Sequence, residues 1–154
     1  MDSENVSVLF CKYGDDVFRL ALSYLKCRED AEDVCQNVFL KLLSKNVTLT
    51  EGKEKSFLLT CTANACKNHL KSFFRCNVVE LTDVIYAEDG DDLSLIGAVM
   101  SLPSKYSAVL HLYYYEGYDQ REIGEILNIS VSAVQTRMSR AKIMLKKELE
   151  RNER

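Results

Sequence analysis

A chain of 154 residues holds one ordinary domain or two small ones. Its apolar share of 47% and charged share of 28% suit a folded, soluble protein, and one proline with six glycines excludes a low-complexity chain. No apolar run approaches the ~20 residues of a membrane span, and the opening "MDSENVSV" is acidic and polar. No secretory signal and no membrane insertion are expected, and a cytoplasmic location is the default.

The net charge of −3 argues against a polyanion as partner, but the average hides a division. Residues 1–76 hold 11 Lys+Arg against 10 Asp+Glu, residues 77–101 hold none against six, and residues 102–154 hold nine against seven. Within that last part, residues 131–147 hold five cations and no acid. The chain is near neutral, then acidic, then locally basic, which points to a division of labour along it.

In chain order, nearly every segment has helical spacing. "SVLFCKYGDDVFRLALSYL" sets Val8, Leu9, Val17, Phe18, Leu20, Ala21, Leu22 and Leu25 on broad apolar stripes. "CREDAEDVCQNVFLKLLSK" repeats Ala31, Val34, Cys35, Val38, Phe39 and Leu42 at three and four, with Glu29 and Asp30 suited to the helix start. "NVTLTEGKEK" reads as a polar loop. "SFLLTCTANACKNHLKSFF" resumes the helix, with Ser56 expected as its N-cap.

From Asn77 to Met100 the periodicity weakens, and residues 77–100 read as an acidic linker with a short helix at "DLSLIGAVMS". Pro103 then opens a helix through "SKYSAVLHLYYYEGY", with Val109, Leu110, Leu112 and Tyr113 expected inward and Gly117 at its end. At helical spacing Tyr113, Tyr114 and Tyr115 point to different faces, so at least one belongs to the core; no base-stacking role is assigned to them.

All six cysteines lie in the first half: Cys11, Cys27, Cys35, Cys61, Cys66 and Cys76. None forms a CxxC pair, so buried reduced thiols are the expected state. Cys61, Cys66, His69 and Cys76 are close in sequence, but five residues advance a helix by roughly 500°, which turns Cys61 and Cys66 apart. No metal or other cofactor is expected.

The last fifty residues carry the sharpest signal. Asp119 and Glu122 have capping-box spacing ahead of a helix with Ile123, Ile126 and Leu127 on one face. Asn128 suits a left-handed helix end, Ile129 plugs the turn, and Ser130 caps a final helix whose inner stripe is Val134, Met138, Ala141 and Leu145. Gly124 lies where the two helices cross, and its size lets them approach. Two helices on a short turn, the second one basic, form a helix-turn-helix. The outer face then carries Ser132, Gln135, Thr136, Ser139, Arg140 and Lys142, with Arg137 at its border. Short polar groups and a glutamine reach base edges in the major groove, and the cations neutralise phosphates.

"LPSKYSAVLHLYYYEGYDQREIGEILNISVSAVQTRMSRAKIMLKKEL" closely resembles region 4 of bacterial RNA polymerase sigma factors of the extracytoplasmic-function type. "DAEDVCQNVFLKLL" resembles their region 2.2, and "SFLLTCTANACKNHLKS" their regions 2.3 and 2.4. The resemblance covers nearly the whole chain in the right order. It implies an all-α protein of two small helical domains: residues 1–76 for core polymerase and the minus-ten element, residues 101–154 with a helix-turn-helix for the minus-thirty-five element, and the acidic linker between. Its partners would be the RNA polymerase core (the beta-prime clamp helices and the beta flap), promoter DNA and an anti-sigma factor.

By the same resemblance Asp33, Gln36 and Asn37 belong to the polymerase-binding face, with Leu40 beside them. Asn64 lines the pocket for a base flipped from the non-template strand, the loop "NVTLTEG" forms its other wall, and Lys67 and Lys71 hold the strand's phosphates. The chain departs from the family where it has Phe57-Leu58 in place of Trp-Leu, Asn68 at a position that is often aspartate, and Val131 in place of an acid or proline. Phe57 reads as a core substitute.

No nucleotide-binding loop and no nucleophile–base arrangement is present, so an enzyme is not expected. Two other readings fit parts of the chain. A stand-alone helix-turn-helix regulator would dimerise on a palindromic operator, and a metal or redox sensor would use the cysteines.

Overall fold

The computed structural model describes residues 2–45, 48–76 and 93–152. Every regular element among them is helical, and the chain divides into two compact units at Glu80 and Leu81. The rest of the linker, residues 77–92, lies outside the described residues, as do Asn46 and Val47 of the polar loop.

The first unit has three helices: α1 (Ser3–Leu25), α2 (Arg28–Ser44) and α3 (Glu54–Cys76). Asp2 caps α1, its carboxylate accepting from the Asn5 N–H at 2.9 Å, so the helix starts a turn earlier than expected. That helix buries Val6, Leu9, Val17, Leu20, Ala21, Tyr24 and Leu25. Val8, expected on the apolar stripe, is 60% exposed; it stands roughly 200° around the helix from Val6, on the far side.

Helix α2 buries the expected Ala31, Val34, Cys35, Val38, Phe39 and Leu42, and α1 packs on both α2 and α3. From α3, Leu58, Leu59, Ala63 and Cys66 complete the core. Each such large apolar side chain contributes about 1.5–3 kcal/mol by leaving water. Ser56 is not the N-cap of α3: the helix has begun by Glu54, and the Ser56 hydroxyl donates back to the Lys53 carbonyl at 3.1 Å. Phe57 is no core substitute either; it sits at the edge, 36% exposed, while Leu58 is fully buried.

The turn between α1 and α2 rests on Lys26, left-handed at φ 58° and buried, a place where glycine is usual. Its N–H closes α1 onto the Leu22 carbonyl at 2.8 Å. Burial lowers its ammonium pKa to about 8.

The second unit is α4 (Leu93–Ser101), α5 (Ser104–Leu110), a π-helical turn (His111–Tyr115), α6 (Gln120–Leu127) and α7 (Val131–Asn152). Helices α4, α5 and α6 all pack on α7. Ala98 and Met100, expected at the end of the linker, are buried, so the short helix at its end belongs to this folded unit. The core continues through Leu102, Tyr106, Val109, Leu112, Ile123, Leu127, Val134, Met138 and Ala141.

The π-helical turn corrects the expected register. Glu116 donates its N–H to the His111 carbonyl at 3.1 Å, and Tyr118 to Leu112 at 3.0 Å. A widened turn admits an extra residue and rotates the later residues around the axis. Leu112 stays fully buried, but Tyr113 turns out to 38% exposure, and Tyr114 and Tyr115 are exposed too. None of the three is core; Tyr106 supplies the buried ring. Gly117 ends the segment at φ 77°, a conformation that favours glycine.

Candidate nucleic-acid interface

The helix-turn-helix is built as its sequence requires. Asp119 accepts from the Glu122 N–H at 2.8 Å, and Glu122 accepts from the Asp119 N–H at 3.2 Å, a complete capping box. Asn128 closes α6 in the left-handed region at φ 57°. The Ile129 N–H then reaches the Gly124 carbonyl at 2.9 Å. Ser130 opens α7 by accepting from the Ala133 N–H at 3.1 Å. A Cβ placed on Gly124 would stand 2.9 Å from the Ile129 carbonyl oxygen, so the crossing admits only a very small residue.

With Val134, Met138 and Ala141 buried and Leu145 half-buried, the other face of α7 is fixed. Ser132, Gln135, Thr136, Ser139, Arg140 and Lys142 are all exposed, and Arg137 is half-buried at the border. The order along the helix matters chemically. Ser132, Gln135 and Thr136, short and polar, come first along the helix; the cations Arg140 and Lys142 come after them. The Thr136 hydroxyl donates to the Ser132 carbonyl at 3.0 Å, so toward a ligand it offers lone pairs and a methyl. Val131 is exposed at the head of the helix.

In the first unit, Asp33, Gln36 and Asn37 are exposed on one face of α2. Leu40 continues that face at 57% exposure, beside exposed Leu43 and Phe10. Phe10, Gln36, Phe39, Leu40 and Leu43 line a groove of about 250 Å³, with the Phe10 and Phe39 rings edge to face at 5.1 Å. Phe10 and Leu43 were missed in the sequence; their signal is an apolar residue off the buried stripe of an amphipathic helix.

Asn64, Lys67 and Lys71 succeed one another at three and four along α3 and share a stripe. Asn64 and Lys71 are exposed, and Lys67 is half-buried. A larger groove between α2 and α3, of about 520 Å³, does not include them. Its lining is Val34, Asn37, Leu40, Lys41 and Ser44 on one side, and Ala65, Asn68, His69 and Ser72 on the other. His69 Nε2 on α3 lies 3.6 Å from Asp30 Oδ2 on α2. Asn37 and Asn68 therefore share a cleft that their separation in sequence conceals.

Among the described residues no three His, Cys, Asp or Glu side chains gather as a metal site, and the Cys76 side chain lies outside them. Burial pushes the Cys66 thiol up to about 12 and raises those of Cys35 and Cys61. Such thiols are poor ligands and poor nucleophiles. No helix among the described residues is long and apolar enough to cross a membrane.

Comparisons with known proteins bear on both units. Residues 9–72 match the family model of Sigma-70 region 2, and residues 92–145 that of Sigma-70, region 4. The chain is 45% identical to the ECF RNA polymerase sigma factor SigW of Bacillus subtilis, over 89% of this chain and 84% of that protein. It is 27% identical to the RNA polymerase sigma factor SigV of the same organism, over 84% of this chain and 81% of the relative. In fold it resembles the sigma factor RpoE of Bartonella quintana, solved in complex with the anti-sigma factor NepR, with a TM-score of 0.81 at 18% identity over 96% of this chain and 98% of that one. A stand-alone regulator accounts for the helix-turn-helix but leaves the region 2 match unexplained. The chain belongs to the extracytoplasmic-function sigma factors, the subunits that direct RNA polymerase to promoters and start transcription.

Proposed function

We propose a division of this sigma activity between the two units. The observation that carries it is the outer face of α7: a capped turn delivers a helix whose exposed side chains are short and polar first and cationic afterwards, with no acid in residues 131–147. In this reading the unit ending in α7 docks on the beta flap and reads the minus-thirty-five element. Ser132, Gln135, Thr136 and Ser139 face base edges, and Arg137, Arg140 and Lys142 face phosphates. The first unit docks on the beta-prime clamp helices through Asp33, Gln36 and Asn37. Its α3 takes the melted minus-ten strand, with Asn64 on the extruded base and Lys67 and Lys71 on the backbone. The acidic segment 77–92 suits a path that otherwise holds RNA, since both carry negative charge.

The protein itself makes and breaks no bond; the polymerase does. It works in the cytoplasm, where the polymerase is. Because each DNA contact set is small and the chain carries a net charge of −3, free protein binds duplex DNA weakly. Holding both units on one polymerase raises the effective concentration of each. When idle, the protein is sequestered by an anti-sigma factor. Two features support this: the exposed groove at Phe10, Leu40 and Leu43, which needs cover, and the anti-sigma complex of the Bartonella relative.

The test is transcription with sigma-free bacterial core polymerase and a fragmented genomic library, with mapping of transcript starts. Discrete starts sharing two upstream elements at fixed spacing are expected. Gln135→Ala should alter base preference in the upstream element, and Lys142→Ala should weaken all promoters alike. Tight duplex binding by the free protein at physiological salt would contradict the division of labour. Purification from native cells without an associated partner would contradict sequestration.

A further inference from the structure

Lys142 is the most C-terminal cation assigned to the DNA face of α7, and a lysine there meets an entropic problem. Its four-carbon stem has many rotamers and its ammonium is strongly hydrated, so unaided it spends little time aimed at one phosphate. The structure holds a second group at that position. The Lys142 ammonium stands over the ring of Tyr113, 6.0 Å from its centroid. We infer that Tyr113 is a positioning residue, its ring holding the Lys142 ammonium on the DNA face so that the charge meets a backbone phosphate of the upstream promoter element. This rests on the DNA-reading role proposed for α7.

Three observations carry the inference. The first is register. Helical periodicity alone sets Tyr113 with Val109 and Leu110; within the π-helical turn at His111–Tyr115 it is instead 38% exposed, beside fully buried Leu112, with its ring under the Lys142 ammonium of α7. The second is rigidity at both ends. Leu112, next to Tyr113, and Ala141, next to Lys142, are fully buried, and α5 packs on α7. The Tyr113 ring is itself met edge-on by Tyr114, with centroids at 4.9 Å and planes at 76°. The third is access. Tyr113 is 38% exposed, so the ammonium can touch the ring's negative face and still turn donors to solvent or phosphate.

The test uses holoenzyme reconstituted from this chain and bacterial core polymerase. The probe is a duplex promoter fragment whose start has been mapped with the wild-type protein. Binding is measured over a series of salt concentrations for Tyr113→Leu, Tyr113→Phe, Lys142→Ala and the double variant Tyr113→Leu/Lys142→Ala. Removing an exposed cation–π contact predicts about a two- to five-fold loss of affinity for Tyr113→Leu. The slope of log affinity against log salt should fall by up to about one. Tyr113→Phe keeps the ring and should behave as wild type. The double variant should be no weaker than Lys142→Ala, because the tyrosine acts only through the lysine; a folding defect would add to the loss.

Three results would overturn the inference. One is wild-type binding and slope in Tyr113→Leu while Lys142→Ala weakens binding. Another is a Tyr113→Phe variant as weak as Tyr113→Leu, which would assign the contact to the hydroxyl. The last is Lys142→Ala with an unchanged salt slope, which removes the phosphate contact and with it anything to position, while leaving promoter-directed transcription by the wild-type protein intact.

Discussion

Substituting Gly124 tests the crossing on which the helix-turn-helix depends. A Cβ there would stand 2.9 Å from the Ile129 carbonyl oxygen, 3.7 Å from Val134 Cγ2 and 3.8 Å from the Ser130 carbonyl carbon. The first contact is with backbone, and that backbone is tied: the Ile129 N–H is bonded to the Gly124 carbonyl at 2.9 Å, and the Asn128 N–H to the same oxygen. An ordinary contact needs the turn to retreat by roughly 0.3–0.5 Å on the usual van der Waals spacing. For Gly124→Ala the retreat costs about 1 kcal/mol, and the gain in helix propensity returns about the same. The variant should lie within about 1 kcal/mol of the parent.

Gly124→Val differs. Its two methyls have nowhere to go between the Ile129 carbonyl and Val134, and a β-branched residue gains less as a helix former. Overpacking of this kind costs about 1–3 kcal/mol, which for a unit of this size lowers its melting temperature by about 4–24 °C. Thermal unfolding monitored by tyrosine fluorescence reads this unit well, because five of the eight tyrosines lie between Tyr106 and Tyr118 and the chain has no tryptophan. Promoter use should fall at temperatures where the unit is still folded, since a wider crossing moves Ser132 and Gln135 relative to α6. A Gly124→Val protein with wild-type melting and wild-type transcription would refute the close-approach argument.

The caps, the buried lysine and the thiols each predict a further outcome. Asp119→Ala removes one half of the capping box and should cost about 1 kcal/mol by denaturant titration, with Ser130→Ala costing a similar amount at the head of α7. Burial lowers the Lys26 pKa to about 8 from an ordinary 10.5, so the unfolded chain holds the proton more tightly than the folded one. The contribution of Lys26 to stability is therefore largest above pH 10.5 and is lost as pH falls through 8; Lys26→Met should become relatively more stable as pH falls from 9.5 to 7. An unchanged difference between the two proteins across that window would exclude a buried ammonium. In thiol titration of native protein Cys11, which is exposed, should react first, and Cys66 should stay silent until the chain unfolds.

How much of the fold and the site could be read from the sequence depended on whether local chemistry and periodicity agreed. They agree in α2, where six apolar residues at three-and-four spacing are the six that the helix buries. They agree again from Asp119 to Ser130, where each cap has its side chain at the expected position. The face of α7 was legible for the same reason: once Val134, Met138 and Ala141 are known to be inside, the outside is determined. The failures share a cause, which is that a helix start or a change of helical pitch leaves little trace in composition. Ser56 has the chemistry of a cap, but Lys53 already accepts the Phe57 N–H at 3.0 Å, so the helix had begun before the serine was reached.

The widened turn at His111–Tyr115 is the sharper case, because "HLYYYE" is compatible with an α-helix at every position. Around that turn Leu112 is fully buried, Gly117 carries the chain at positive φ, and Asp119 caps α6 two residues later. Tyr113, within that turn, is 38% exposed, and the Lys142 ammonium stands over its ring, 6.0 Å from the centroid. The residue that sequence periodicity assigns to packing is thus the one whose ring meets Lys142 of α7, a placement visible only once both ends of the segment are fixed in space.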